Sequence, residues 1–507
     1  MADYKHGTYG EFSESVGGVV AETQSAFVYV GTAPVNLIRG YAGAVNTPIL
    51  LRTFDAAKRL VGYSDDWATF TLCEAIKLHF DNASGNIGPM VVINALDPDT
   101  HKKAETTNQQ LTFANGRATI QSDTIIVDTL VLADKVEGVD FSIDYDFTKG
   151  EVIINSLGAE KLSGQIQATF SEIDLTSFTE DDIIGGVTAG GVYTGLGCVG
   201  LVYPEIGRIP SLIAAPGWSD KPAVYEAMIT AGQKINGHWD AFVYADIPLV
   251  NGGAKAGMAK VGESRIGPGE KVDTIETAKT WQLDNGYTNE RSKVFWPQMQ
   301  DTAGRIYHIS ALAAWSSMTV DATHDDIPME SPSNKPIPVA RQYFGEGSTN
   351  RGFDQQRANE LNAVGITTGV YWGGQWVLWG PHTAAYKYGS VADLRSIFDN
   401  TIRMMMYVTN SFQSEHALQI DKPMTRAMAD TIKNREQEKA DAWAVLGAFI
   451  GKPVVDFRET DNSTAELAEG NFVWRFEGTP TPPFKSGTLK VAYSSEGFDS
   501  YFGEATE

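Results

Sequence analysis

Cysteine is almost missing from this chain: 507 residues carry two, Cys73 and Cys198. Two thiols so far apart read as buried small apolar groups rather than a disulfide or a metal pair, and they suit synthesis in a reducing cytoplasm. Long apolar runs are missing too. The longest near the C-terminus, residues 444–450, falls far short of the ~20 needed to cross a bilayer, and the opening MADYKHGTYGEF lacks the basic-then-apolar order of a secretory signal. A soluble protein with no membrane partner is expected. Basic charge is also scarce, 40 Lys and Arg against 63 Asp and Glu, for a net charge of −23. That argues against nucleic-acid binding, which needs a basic face to displace counterions.

Catalytic signatures are absent as well. The eight histidines show neither H-E-x-x-H spacing nor pairing with the cysteines, and no phosphate-cradling loop or G-x-S-x-G elbow occurs. Gly195-Leu-Gly197-Cys-Val-Gly200 fits G-x-G-x-x-G, but Pro204 and Pro210 separate it from the next expected helix, near Asp220. Asp140, Asp144 and Asp146 resemble part of a calcium loop, yet Lys149 stands where the turning glycine belongs. The doublets Asp181-Asp182 and Asp325-Asp326 read as hydrated loop residues. No catalytic residue, metal site or cofactor is assigned, and the chain is read as not an enzyme.

What is present is α/β texture, on a length that calls for two to four domains. Residues 26–33 read as a buried strand, 53–60 as a short helix, and Ser64 as the cap of a helix beginning DDWATF, with a strand after it at 90–95. Helix signals vanish between 104 and 190. Hairpins are expected there on Asn115-Gly116 and around Lys149-Gly150. The α/β pattern then resumes with the strand of SLIAAPGW, a helix capped by Asp220 with Pro222 in its first turn, and the strand of DAFVYADIP. Later helices are expected at 354–363, 392–412 and 423–450. The strands 367–372 and 375–379 form a hairpin on Gly373-Gly374, and strands at 454–458 and 472–477 close the series.

Five blocks, in order, give the chain a likeness. LNAVGITTGVYWGGQWVLWGPHT at 361–383 resembles the "LNxxGIxT … xxWGxxT" block of contractile phage tail sheath proteins. PSLIAAPGW (210–218), ESPSNKPI (330–337, with Ser333 for the usual alanine), Phe449-Ile450-Gly451 after Trp443, and RETDNSTAELAEGNFVWRFEGTPTPP resemble further blocks of that family. The opening His6-Gly7-Thr8-Tyr9-Gly10-Glu11 departs from the family's "PG-apolar-Tyr-x-E" phrase. The resemblance implies an α/β multidomain fold. It would comprise a discontinuous α/β domain (21–103 and 191–343), an all-β insertion on the outer surface (104–190), an inner α+β domain (344–485), an N-terminal extended arm (1–20) and a C-terminal arm strand (486–507).

The function implied is a structural subunit of the contractile sheath. It would polymerise around the tail tube as a helical sleeve of stacked, six-fold rings and contract to drive the tube through a cell envelope. Its partners would be itself, the tube, the baseplate and the tail terminator, in a virion tail assembled in host cytoplasm. The acidic charge then helps keep an abundant self-assembling protein in solution.

The arms would carry Tyr4, Tyr9, Phe12 and Val16 at one end and Leu489, Val491, Tyr493, Phe498 and Tyr501 at the other. The sheet accepting them would use Val454, Val455, Phe457, Phe472, Trp474 and Phe476. GTPTPPFKS, stiffened by three prolines, would span roughly 28 Å at ~3.1 Å per residue before the strand TLKVAY. Export of that strand to a neighbour is weighed against local pairing. Arg426, Lys433, Arg435 and Lys439 form either a tube-facing stripe or, with Glu436 and Glu438 beside them, a mixed solvent face. The alternative class is an α/β enzyme, a hydrolase or nucleotide-binding protein, with the β module inserted. A static capsid or tube subunit is a third reading.

Overall fold

The computed structural model describes residues 25–82, 84–252, 267–390 and 393–502. It is a mixed α/β chain with several sheets. The largest holds eight strands: β1 Ser25–Gly31, β2 Pro48–Leu51, β3 Met90–Asn94, β4 Ile209–Ala214, β5 Phe242–Asp246, β6 Ser292–Phe295, β7 Ile366–Trp372 and β8 Gln375–Trp379. Their order is β8-β7-β6-β5-β4-β1-β3-β2. The six inner strands are parallel, and the two edge strands run against them. Apolar runs such as VVIN and FVYA specify this, because an inner parallel strand is covered on both faces; β3 and β5 are buried at every position.

A parallel sheet has two unlike rims. At the carboxyl rim, past β1, Asn36 Nδ2 donates to Asp123 O and Ile125 O, both at 2.9 Å, and so ties on the β module. At the amino rim the turn before β5 meets a helix from the C-terminal region, with Asn410 Nδ2 donating to Asp240 O at 2.8 Å. Between the rims runs Ile309–Ala322, twelve of whose fourteen residues are buried, a span of ~21 Å at 1.5 Å per residue. It starts at the carboxyl rim, where Ser310 N donates to Asp246 Oδ1 at 3.0 Å, and ends with Asp321 paired to Arg403 at the other.

The β module is two three-stranded antiparallel sheets sharing a core of Leu111, Phe113, Ile120, Val152, Ile154 and Phe170. Asn115 and Gly116 are left-handed, as a tight turn requires. However, Thr107–Phe113 and Arg117–Gln121 part after the Ala114–Arg117 bridge and join opposite sheets, so the expected hairpin is a corner between two layers. The pairing around Lys149-Gly150 is a true hairpin, Asp146 facing Glu151. The module's stem closes at Lys102 and Ile173 rather than near 190; Phe178 and Ile183 already belong to the main core.

Several element expectations need correction. The helix expected to start after Ser64 is Leu72–Phe80. Ser64 Oγ accepts from Asp66 N in a turn, while Thr71 N donates to Thr32 Oγ1 and pins the start of the helix to the end of β1. Lys221, not Asp220, precedes the helix Pro222–Ala231, and Asp220 pairs with the Lys221 ammonium instead. The boundary expected near residue 343 falls inside the main sheet. Val294 and Phe295 of β6 pair with Ile366 and Thr367 of β7, so the 366–379 hairpin completes the α/β layer. Beyond the hairpin lies a smaller unit: helix Asp399–His416, helix Arg426–Val445, and the two-stranded ribbon β9 Phe449–Asp456 and β10 Arg475–Pro480. The second helix stops where Gly447 turns left-handed (φ +88°).

Candidate functional site

Residues from the blocks at 330–337 and 361–383 meet at the joint between the sheet and the C-terminal unit. At its centre is Lys293, a lysine in the middle of an apolar strand and fully buried. Its ammonium donates to Gly380 O at 2.6 Å, His382 O at 3.4 Å and Asp399 Oδ2 at 2.7 Å. Asp399 opens the helix Asp399–His416 and also accepts from Ser331 Oγ at 3.0 Å. Burial pushes the Lys293 pKa down, and the Asp399 carboxylate opposes that push. Residues 334–337 lie along β8, where Asn334 N donates to Leu378 O (2.6 Å) and Ile337 N to Trp376 O (3.0 Å), closing that edge of the sheet. ESPSNKPI is therefore an edge cover and a ligand to the joint at once. Sequence reading missed Lys293 and Asp399; the signal was a cation inside SKVFW, a strand otherwise apolar.

Of the expected acceptor residues, Val454, Val455 and Phe476 lie on the ribbon. The ladder pairs Val454 with Glu477, Val455 with Phe476 and Asp456 with Arg475, and reaches back to Phe449 opposite Pro480. Phe457, Phe472 and Trp474 lie outside the strands and form an aromatic cluster, with Phe457–Trp474 centroids 5.3 Å apart. Trp474 Nε1 donates to Ala429 O of the helix beneath. Asn462 bonds Arg458 O, Val473 O and Val473 N, and Asp461 pairs with Arg475 at 2.7 Å. That is what the D-N of the terminal block does: it closes the loop joining the strands.

Past β10 the chain is strapped down and then released. Thr481 N donates to Ala448 O (2.9 Å), Thr481 Oγ1 to Gly447 O (2.6 Å) and Asn400 Nδ2 to Thr481 O (3.0 Å), while Lys485 lies over the Tyr386 ring. Residues 488–493 form no strand. Leu489, Val491 and Tyr493 are 86, 84 and 82% exposed, with Phe498 and Tyr501 exposed beyond them in the 3-10 turn Glu496–Phe502. Tyr4, Tyr9, Phe12 and Val16 lie outside the described residues. Of the four basic residues on the helix Arg426–Val445, Arg426 pairs with Asp430, Arg435 with Glu415, and Lys439 with Glu415 and Glu436. Asp430 and Glu436 on this helix, with Glu415 from the helix Asp399–His416, thus answer three of the four charges.

A cavity of about 850 Å³ lies between the joint and the strap, lined by Glu330, Lys335, Asn359, Trp379, His382 and Phe484 among others. Its ionisable groups are engaged with one another: Glu330 takes both Lys335 (2.5 Å) and His324 (2.8 Å). The His382 ring is stacked between Tyr386 and Phe398, and burial lowers its pKa to about 3. Gly195–Leu201 is a 3-10 helix whose glycines allow close backbone packing, since a Cβ on Gly197 would stand 2.5 Å from Gly186 O. Among the described residues no cluster of three or more His, Cys, Asp or Glu could hold a metal, and no helix is long and apolar enough to cross a membrane.

These features describe a class: an α/β protein whose most elaborated site is a buried ion-pair joint between its main sheet and a C-terminal unit bearing a strand ribbon and an exposed tail. No protein-family model matches the chain. It is 26% identical over 519 residues to the tail sheath protein of Burkholderia phage BcepMu, covering 98% of each. Its fold matches a chain of the anti-feeding prophage baseplate (TM-score 0.53, 13% identity, 97% of this chain and 100% of that one). It also matches the sheath complex of an extracellular contractile injection system in the contracted state (TM-score 0.53, 11% identity, 98% and 99%). The chain is related to the contractile tail sheath proteins, and those relatives are structural proteins rather than enzymes.

Proposed function

We propose that this chain polymerises around a tail tube as a helical sleeve and shortens on a signal from the baseplate, with each subunit tied to its neighbours by exchanged terminal strands. The observation that carries the reading is the state of the C-terminus. Leu489, Val491 and Tyr493 alternate as a strand face does, yet all three stand more than four-fifths exposed. The bonds at Thr481 and Lys485 steer the chain away from its own ribbon toward Tyr386, against a return hairpin. A two-stranded ribbon is marginal alone and gains from added strands, which take affinity from the backbone and register from alternate side chains. A head-to-tail contact that does not close on itself gives a filament.

The two rims support a division of labour. Ser25, where the described chain begins, and the C-terminal unit share the amino rim, so both arms depart from one end of the sheet; the β module leaves from the other, toward the outer surface. Contraction is then a rotation of rigid α/β bodies out of a metastable extended state, with residues 487–507 and 1–20 as the bending links. Negative-stain microscopy of the purified protein tests this: striated hollow cylinders are expected. Dispersed particles under all assembly conditions, together with unaltered behaviour on removal of residues 487–507, refute it.

A further inference from the structure

The two edges of the ribbon differ. On β9 two outward groups, Val455 N–H and Pro453 C=O, are not open: the Gln437 side chain, reaching across from the helix Arg426–Val445, satisfies both. Its Oε1 accepts from Val455 N at 2.8 Å and its Nε2 donates to Pro453 O at 3.0 Å, with a further bond to Asp441 Oδ1 at 2.9 Å. One primary amide thereby reproduces the donor–acceptor pair that a neighbouring strand would present. Across the ladder Val455 faces Phe476. Since Val455 turns its backbone groups outward, Phe476 turns its own toward the far edge of β10, and among the described residues no hydrogen bond from another element reaches them.

We propose that Gln437 is a plug: it fills the β9 edge in the free subunit, so an incoming strand from a second copy adds first at Phe476 on β10. A second strand enters on β9 only when the amide swings aside. This deepens the strand-exchange reading above and rests on it. The chain itself supplies the occupant, the 488–493 segment, whose Leu489, Val491 and Tyr493 share one face while Lys490 and Ala492 share the other. Filling an open edge with a side chain is one way to keep subunits from associating out of order.

Two measurements test the plug. In a chain ending at Ser486, hydrogen exchange at the Val455 amide reads the contact without any polymer. It is expected to be slow in the parent and about fivefold faster or more in Gln437→Ala, with other β9 amides facing β10 unchanged. In the full-length protein, Gln437→Ala is expected to shorten the lag of light-scattering growth severalfold, and Gln437→Glu, which cannot donate to Pro453 O, to give an intermediate lag. Equal Val455 exchange in parent and Gln437→Ala overturns the proposal, as does an unchanged or lengthened lag in a variant whose circular dichroism and melting match the parent. Polymerisation of the chain ending at Ser486 at the parent rate instead sinks the strand-exchange reading, and the exchange data still decide whether Gln437 holds the edge.

Discussion

Lys293 and Asp399 illustrate why a buried ion pair matters more when half of it is removed than when it is intact. Desolvating both charges offsets much of their attraction, whereas leaving one unpaired in the interior costs ~3–5 kcal/mol. Lys293→Met should therefore lower unfolding free energy by about that amount in urea titrations, and Lys293→Met with Asp399→Leu should recover part of it. A double variant no better than the single would show that the bonds from Lys293 to Gly380 O and His382 O, not the charges, hold the joint. His308 gives a second residue-scale prediction. Burial alone would lower its pKa, but Glu74, 2.8 Å from Nδ1, outweighs burial and carries it to about 9, with Asp246 assisting. The folded state then holds this proton more tightly than the unfolded chain, whose imidazole titrates near 6.5. Its stabilisation is complete below that value and is lost as pH rises toward 9. Urea stability should fall between pH 7 and 9, by at most ~1.4 kcal/mol per pH unit, and His308→Gln should flatten that slope. Asp246, raised to about 6 by burial, acts below this window.

At the scale of elements, the sequence was legible where periodicity and turn chemistry agree. The 366–379 hairpin, with Gly373 and Gly374 both left-handed, stands within a residue of its expected place, and Thr53 caps a helix at Phe54–Leu60. Legibility failed where a tertiary contact outranks a local one. Ser64 looks like a cap, but the Thr32–Thr71 bonds fix the helix start. Asn115-Gly116 looks like a hairpin, but Leu111 and Ile120 are needed in two facing layers. The site divides the same way. Alternation pointed to Val454, Val455 and Phe476 of the ribbon, while Lys293 and Asp399 meet across 106 residues and leave no local pattern. The closed stem of the β module yields a prediction at this scale. Lys103 N bonds Glu172 O at 2.9 Å, so residues 104–171 can be excised and the ends joined by a short Gly-Ser linker. The main fold is expected to survive with a lowered melting temperature, because most of the module's core is internal to it, while Leu37 loses its packing there and Asn36 its acceptors Asp123 O and Ile125 O. Polymer should still form under the microscope, and its loss from a well-folded variant would count against an outward module.

For the whole molecule, the decisive property is polarity. On the strand-exchange proposal, each subunit carries a C-terminal donor segment, residues 488–493, and an acceptor ribbon, and the two are not interchangeable. Removing residues 487–507 leaves the acceptor complete, since the bonds of Thr481 and Lys485 lie before the cut. On that proposal such a chain can still receive a strand, yet offers no C-terminal strand to the next subunit. In a head-to-tail polymer it acts as a terminator, so its effect depends on its ratio to full-length chains rather than on dilution of total protein. With one truncated chain in ten, mean cylinder length should drop severalfold below that of full-length protein at the same total concentration. Incorporation should be visible as truncated chain pelleting with the polymer. A subunit lacking residues 1–20 should shorten cylinders through the other arm, and the two truncations together should do so more than either alone, because they interrupt different links. If truncated chains stay in the supernatant and cylinder length is unaltered, the C-terminal segment links nothing, and contacts between α/β bodies must hold the sleeve.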